Sequence, residues 1–335
     1  ITAQCVQSIE TFHGVEDYEI IIVDNHSEQA NYEHLLQLVQ GRHPIVRSKL
    51  NMGFGLGNML GAEQAEGEIL CFLNSDVLLV EDCITPLVNH LSTHPETGVI
   101  TPQQYRPHGT AYAFRHKFGI RRDLFGDDIF EHLFPQRYPK RSDLTRTEPF
   151  VVSEINGSFM MFRAEVFWEI GGFDTNIFLF HEEYDIARRL EGSGYQNVVY
   201  PTVRFLHAHG ASSGGDKKTI RKERFISKIY CYSKYHHPFM TGLFRIENIV
   251  MKMFSPKNWY LIPVFLTGNT LALSMRPSVR CRKKKMTEVK VEKKKRKNPH
   301  SMDSFSVTLL QIQQMEIVLL LLGTRRNGHV VSIFL

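Results

Sequence analysis

The sequence has no closely spaced cysteines and no long apolar run. Its five cysteines are scattered without a C-x-x-C pair. This spacing suggests neither a zinc knuckle nor a disulfide framework, so a reducing compartment fits best. No stretch of about eighteen uninterrupted apolar residues occurs, and we therefore predict no membrane-spanning helix. The first residues have the spacing of a helix in progress and not of a signal peptide, and they favour a cytoplasmic location.

Basic charge is concentrated in one segment. The chain of 335 residues has a net charge of +5, but residues 276–300 alone contribute twelve Lys or Arg against two Glu, so the rest is acidic. Such a run can bind anionic lipid or nucleic acid, although most are solvated and disordered. Nucleic-acid binding by this run would need aromatic residues between the basic ones, and 278–300 contain none. We therefore rank nucleic-acid binding last among the candidate functions.

Short apolar runs alternate with helical patterns over the first hundred residues. The alternation favours an α/β fold with a mainly parallel sheet flanked by helices, in which ligands bind beyond the carboxyl ends of the strands. Asp24 and 74–76 fall at that edge. We predict strands at 19–24, 44–48, 68–73 and 98–101 and helices at 32–39, 56–65 and 80–91.

Three carboxylates, Glu182, Glu183 and Asp185, occur within four positions among large apolar residues. Acids are favoured in the first turn of a helix by its dipole, which accounts for one or two of them. Like charges beside aromatic residues raise at least one pKa, and such a cluster is typical of a functional site. We favour the functional interpretation.

Two other segments have polar residues or glycine at positions where a ligand could bind. Glycines 53, 55 and 57 precede a helix, but the dinucleotide-binding spacing G-x-G-x-x-G fails because Asn58 and Leu60 stand where glycine is required. A ligand loop and a glycine-rich helix entry are about equally favoured. Asp76 follows a buried strand, where it could ligate Mg²⁺ or Mn²⁺, although a capping role is commoner. His207 or His209, but not both, could point into the same site.

In this order the motifs resemble the family 2 glycosyltransferases of the GT-A fold, in particular their rhamnosyltransferase-like branch. No single motif is decisive, but the joint order is specific over residues 1 to about 240. The matching segments are 23–25 with Ser27, 51–58, 65–67, 73–76, 156–158, 171–174, 182–185 with Arg189, 194–195 and 207–212.

The resemblance implies transfer of a sugar from a nucleotide-diphosphate-sugar to a hydroxyl of a glycan or lipid-linked acceptor, with inversion. It implies Glu183 as the general base, assisted by Glu182 and Asp185, and a divalent metal (Mg²⁺ or Mn²⁺) held by Asp76 and His207. A single displacement needs such a base and positive charge on the leaving diphosphate. The implied donor-binding residues are Asp24, Asn51, Gly53, Gly55, Asn58, Asn74 and Ser75, and the implied acceptor-binding residues are Gly172, Phe173 and Asp174.

Three departures from the family pattern affect what we expect. The family's first strand should precede residue 1 and is missing from the sequence, so activity of a truncated chain is in doubt. The metal motif keeps only its last acid, Asp76, and the base position has Glu183 where Asp is commoner. The alternative is an inactive, truncated, nucleotide-binding relative of these enzymes.

The resemblance also suggests how the chain is divided. We expect a nucleotide-sugar-binding half at 1–103, a loop or insert at 104–150, and an acceptor-binding and catalytic half at 151–240. A helical, apolar segment at 241–275 is compatible with peripheral contact at the cytoplasmic face of a membrane. The remainder, 276–335, is expected to be a poorly ordered basic tail that contains at most one apolar helix.

Overall fold

The computed structural model describes most of the first 276 residues and one short strand near the end. The described residues are 1–12, 18–106, 109–110, 113–116, 126–138, 140–141, 143, 145–207, 216–276 and 331–334.

A mixed sheet forms the centre of the protein, as the sequence predicts. Along the sheet the strands follow the order β2-β1-β12-β3-β10-β5-β11-β4; β6 pairs with β5, β8 pairs with β11, and β7 and β9 form a separate ribbon. The strands are β1 Tyr18–Asp24, β2 Ile45–Arg47, β3 Ile69–Leu73, β4 Val77–Leu79, β5 Thr97–Arg106, β6 Gly109–Thr110, β7 Phe114–Arg115, β8 Phe150–Val152, β9 Glu154–Ile155, β10 Phe159–Arg163, β11 Gln196–His207 and β12 Val331–Phe334.

Helices cover the sheet and continue beyond it towards the C-terminus. The α-helices are α1 Thr2–Phe12, α2 Gln29–Val39, α3 Gly53–Ala62, α4 Ile84–Thr93, α5 Asp127–Leu133, α6 Ala164–Glu169, α7 Glu182–Gly192, α8 Lys217–Tyr235, α9 Pro238–Met253 and α10 Ile262–Leu266, with 3₁₀ turns at Pro256–Leu261 and Thr270–Leu273. Among the helices that the structure describes, none is long and apolar enough to cross a membrane.

The strand between β1 and β3 comes from the far end of the sequence. β12 pairs in parallel with β1, with Ile333 opposite Ile20, and in parallel with β3, with Ile333 opposite Cys71. The sequence analysis assigns no strand to 331–334 and expects a poorly ordered tail there. Four residues of that tail therefore complete the parallel half of the sheet.

Alternating side chains place two apolar layers on the sheet. One layer packs α1 and α4 against the sheet through residues such as Ile9 and Leu87, and the other packs α6 and α7 through Phe167 and Ile186. A third cluster, which includes Tyr232 and Phe244, holds α8, α9 and α10 together.

Several predicted boundaries are wrong. The predicted helix at 80–91 begins only at Ile84, since 80–83 form the irregular connection that follows β4, and Val80 is exposed. Within the predicted helix at 32–39, Leu35 and Val39 are buried, whereas Leu36 is exposed. Strand β11 runs from Gln196 to His207 with a register shift between Tyr200 and Arg204. Periodicity locates the elements well but leaves their ends uncertain.

Candidate active site

Asp76 and His207 meet at the edge of the sheet. Asp76 lies in the turn between β3 and β4, and His207 is the last residue of β11, directly opposite Val77. Asp76 Oδ1 is 3.0 Å from His207 Nε2, and both side chains are buried. The antiparallel pairing of β4 with β11 therefore joins two residues that are 131 positions apart in the sequence. His209 lies outside the described residues.

A fully buried glutamine that sequence reasoning missed holds the other side of the histidine. The side-chain nitrogen of Gln104 lies 2.8 Å from His207 Nδ1, and its oxygen accepts from Asn156 Nδ2 at 2.7 Å and from Ser158 Oγ at 3.3 Å. These contacts orient the imidazole so that Nε2 points at Asp76. The residue lies in the part of β5 that extends beyond the predicted strand at 98–101, so no sequence pattern singled it out.

The turn at 156–158, which contacts Gln104 through Asn156 and Ser158, also contacts Glu183. A Cβ atom placed on Gly157 would lie 3.8 Å from the Glu183 carboxylate oxygen Oε2. Arg115 Nη1 lies 3.7 Å from Glu183 Oε1 and 3.7 Å from Glu154 Oε1. Glu183 keeps some exposure (its side chain is 12% accessible), so its carboxylate can be reached. Arg115 falls within the segment expected to be a loop or insert, and no motif identified it.

The other two acids of the cluster are buried in different ways. Burial, and then the neighbouring Glu183, raise the pKa of Glu182 well above its usual range. Asp185 is fully buried, and both of its carboxylate oxygens accept hydrogen bonds. Arg189 Nε donates to Oδ2 at 2.8 Å, and Lys234 Nζ and the Tyr235 hydroxyl donate to Oδ1. These contacts suit a residue that positions the helix α7 and do not suit one that touches a substrate.

The Gly172–Asp174 segment is packed into the protein. Gly172 has φ +65°, and a Cβ there would meet Met59 Sδ at 2.5 Å. Phe173 is 2% exposed and packs edge-on against Phe72. Asp174 accepts hydrogen bonds from Lys234 and the Tyr230 hydroxyl; burial acts to raise the pKa of Asp174, but these bonds lower it overall. Acceptor binding by the three residues remains a prediction.

Asp24 and Asn51 lie at the carboxyl end of β1, but their polar atoms have protein partners. The carboxylate of Asp24 is fully buried, 2.9 Å from Arg47 Nε and 2.9 Å from the Ser27 amide nitrogen, which donates to it. Asn51 Oδ1 accepts from the Gly53 amide at 3.0 Å. Asn25, which the predicted site omits, donates to the Gly53 carbonyl at 2.9 Å and accepts from the Met52 amide at 2.9 Å. The residue after Asp24 thus anchors the start of α3.

The glycines of 53–57 allow close packing between parts of the chain. Gly53 has φ +76°, and a Cβ there would fall 2.1 Å from the Phe178 carbonyl oxygen, while a Cβ on Gly55 would fall 3.3 Å from Phe173 Cβ. Asn58 is buried and donates to the Phe54 carbonyl of its own helix. Glycine at 53 and 55 therefore lets the start of α3 pack closely against 173–178. A role in donor binding remains a prediction.

Asn74 and Ser75 lead into the Asp76 turn. The Asn74 amide donates to the Ser158 carbonyl at 3.0 Å, and its carbonyl accepts from the Val77 amide at 3.0 Å. Ser75 is 4% exposed. The backbone of 74–76 is therefore tied to the same 156–158 turn that contacts Gln104 and Glu183.

Comparison with known proteins identifies a family. The model described as "Glycosyl transferase family 2" matches residues 1–171, which is half of the chain. A curated relative, N-acetylglucosaminyl-diphospho-decaprenol L-rhamnosyltransferase of Mycobacterium tuberculosis (strain ATCC 25618 / H37Rv), is 26% identical over 216 residues, 59% of this chain and 68% of the relative. Polypeptide N-acetylgalactosaminyltransferase 10 of Homo sapiens is 24% identical over 198 residues, 57% of this chain and 32% of the relative.

Two solved structures are similar over part of their length. GalNAc-T7 with UDP, GalNAc and Mn²⁺ has a TM-score of 0.47 and 19% identity, covering 68% of this chain and 46% of that protein. The mannosyltransferase PcManGT from Pyrobaculum calidifontis, in complex with GDP-Man and Mn²⁺, has a TM-score of 0.43 and 14% identity, covering 82% of this chain and 70% of that protein.

Proposed function

The chain belongs to glycosyltransferase family 2, and on that premise we propose that it moves a sugar from a nucleotide-diphosphate-sugar to a hydroxyl of a glycan or lipid-linked acceptor, with inversion at the anomeric carbon. The name of the mycobacterial relative, which specifies a diphospho-decaprenol acceptor, supports the lipid-linked version of the acceptor.

The observation that carries the proposal is the position of the 156–158 turn. Asn156 and Ser158 hold Gln104 and through it His207 and Asp76, whereas Gly157 lies against Glu183. An Asp–His pair suited to the diphosphate side and a carboxylate suited to the acceptor side are thus held by one turn. Such an arrangement is what a displacement between two bound substrates requires.

Glu183 is the proposed general base. It would take the proton of the acceptor hydroxyl as that oxygen forms its bond to the anomeric carbon and the bond from that carbon to the diphosphate breaks. Arg115 would keep Glu183 from repelling Glu154 and orient its carboxylate. Glu182 and Asp185 would act through the position of α7 and would not touch substrate.

Asp76 and His207 would hold a divalent metal, Mg²⁺ or Mn²⁺. Ligation through Nε2 puts the His207 proton on Nδ1, so the Gln104 amide would turn its oxygen towards Nδ1 when the metal binds. Asp76 Oδ1 is buried and accepts no hydrogen bond of good geometry from the described residues, and its distance of 3.0 Å from His207 Nε2 equals the spacing of about 3 Å between adjacent ligands in an octahedral site. No group of three His, Cys, Asp or Glu side chains that could hold a metal occurs in the described part of the chain. Phosphate oxygens and water would fill the other positions, and the ion would neutralise the leaving diphosphate.

A thermal-shift screen of nucleotide-sugars with and without Mn²⁺ tests donor binding. We expect a stabilising donor whose effect depends on Mn²⁺ in the natural chain and is lost in Asp76→Asn, since a ligand stabilises the folded state it binds. Absence of a shift with every nucleotide-sugar would contradict the proposal.

A transfer assay with the donor so identified tests the chemistry. Glu183→Gln should keep the Mn²⁺-dependent shift and lose transfer by about 10²–10⁴-fold, the usual contribution of a general base. Glu191→Gln, at the exposed end of the same helix, is the matched control and should retain transfer. Donor binding without transfer in the natural chain would favour the inactive nucleotide-binding alternative.

A further inference from the structure

One face of α9 exposes a continuous apolar stripe. Five of its side chains, together with Phe254 directly after its last residue, recur at intervals of three or four residues, so they lie along one side of the helix. Exposed apolar patches of this kind mark interaction surfaces. The stripe consists of Phe239 (66% exposed), Leu243 (41%), Ile246 (60%), Val250 (46%), Met253 (59%) and Phe254 (84%).

The opposite face of α9 packs against α8. Thr241, Phe244 and Asn248 are buried, and the Phe244 ring stacks on Tyr232 of α8 with 4.2 Å between centroids. The helix is therefore fixed to the protein by one side, and its apolar stripe points outward as a consequence of that packing. A helix apolar on both faces needs a second partner.

An exposed tryptophan lies at the end of the stripe. Trp259 is 55% exposed, and its indole nitrogen donates to the Met253 carbonyl at 3.1 Å, which places the ring beside the last turn of α9. Tryptophan rings with one apolar and one polar side are enriched at the boundary between lipid and water.

The charge near the stripe is basic. Residues 238–275 contain Arg245, Lys252 and Lys257 against the single acid Glu247, and the sequence from 276 to 300 adds a further net charge of +10. A chain that combines an exposed apolar helix face with such a net positive charge complements a surface that is both apolar and anionic.

We propose that the α9 stripe, with Trp259, lies in the surface of an anionic lipid bilayer. At 16 residues α9 is about 24 Å long, shorter than the roughly 30 Å hydrocarbon core, so it fits along the interface and not across it. The like positive charge that each copy carries in 276–300 opposes association of two copies, which favours an anionic lipid surface as the occupant. The inference is independent of the proposed sugar transfer.

Flotation of the full chain with vesicles tests the proposal. We expect binding to vesicles of phosphatidylcholine and phosphatidylglycerol in equal parts, weaker binding to pure phosphatidylcholine, and a decrease with salt. Ile246→Glu with Val250→Glu should weaken binding by at least about tenfold, because each change removes an apolar side chain from the interface.

The matched control is Ile129→Glu with Leu133→Glu on α5. This pair has the same spacing and comparable exposure (46% and 60%), and its substitution should leave vesicle binding unchanged. In a Trp168→Phe background, the fluorescence of Trp259, the other tryptophan of the chain, should shift to shorter wavelength on anionic vesicles.

Three outcomes would overturn the proposal. The full chain could fail to bind anionic vesicles, or it could bind equally well with the α9 pair substituted, which would assign binding to the basic segment alone. Light scattering could instead reveal a dimer that the α9 substitutions dissociate. The donor-induced thermal shift is measured in the same variants. If it persists while vesicle binding is lost, the lipid proposal and the proposed sugar transfer are tested independently.

Discussion

Arg115 Nη1 lies 3.7 Å from the Glu183 carboxylate and equally far from that of Glu154. Burial acts to lower the pKa of Arg115, but Glu183 and then Glu154 raise it overall, so the guanidinium is a fixed positive charge between two acids. The short strand β7 positions it by pairing with β9, with Arg115 opposite Glu154. The residue that would orient the proposed base therefore lies in the segment expected to be a loop or insert.

Removing this charge should reduce transfer. Arg115→Met is expected to lower the turnover rate by about ten- to a hundredfold, the range in which a misplaced catalytic group reduces a rate, while donor binding is retained. Steady-state kinetics with the donor identified by thermal shift would measure the effect. Arg115→Lys should restore part of the rate. Arg146→Met, which removes a cation that lies over the Phe150 ring, is the control and should not change it. Equal rates for Arg115→Met and the natural chain would exclude the positioning role.

Glu182 should make stability depend on pH. Burial, and then Glu183, raise its pKa in the folded state, so the folded protein favours the protonated form and loses stability as pH rises from the unfolded value of about 4.3 through the folded value. Glu182→Gln keeps a neutral side chain of the same shape. Its melting temperature should match the natural protein near pH 4 and exceed it increasingly towards neutral pH. A gain that is constant from pH 4 to 8 would contradict this assignment.

Alanine substitutions at Gly53 and Gly41 distinguish the cost of backbone strain from the cost of a steric clash. Both have positive φ, +76° and +72°, so alanine at either should cost about 1–2 kcal/mol of left-handed strain. Only at Gly53 would the new Cβ meet another group, the Phe178 carbonyl oxygen at 2.1 Å, whereas Gly41 has nothing within 4 Å. Gly53→Ala should therefore lower the free energy of unfolding by about 1–3 kcal/mol more than Gly41→Ala in urea denaturation. Equal losses would mean that 173–178 moves aside freely.

The strand β12 should contribute to the stability of the whole sheet. Ile333→Pro removes a backbone N–H between β1 and β3, and the unpaired buried group should cost about 1–3 kcal/mol. Ile333→Val keeps the N–H and the strand preference and serves as the control. Urea denaturation of the two variants should separate them clearly. If both unfold like the natural chain, β12 does not stabilise the sheet.

The sequence predicts strands and helices where the pattern is local. EIIIVD and EILCFL are continuous apolar runs, and both are central strands, β1 and β3, because a strand buried on both faces needs no alternation. The same reasoning misplaces the start of α4. The three-residue strand β4 and the connection at 80–83 precede the helix, and segments this short have too few positions to establish a period.

The candidate site is predicted only in part for a related reason. Asp76, His207 and Glu183 are found by motif, and the structure brings the first two into contact. Gln104 and Arg115 belong to the site through strand pairing, and neither lies in a recognisable pattern. The glycines at 53 and 55 suggest a ligand loop in the sequence. In the structure they pack against Phe178 and Phe173, which lie more than a hundred residues further along the chain.

By itself the sequence determines the family, the alternation that builds the α/β sheet and the concentration of basic charge in 276–300, because each is a property of neighbouring residues or of their order. Only the tertiary structure decides which side chains share a site, what fills the space between β1 and β3, and which face of α9 remains exposed. Those outcomes depend on pairings between distant segments, and their free energies come from packing and hydrogen bonds that no local pattern encodes.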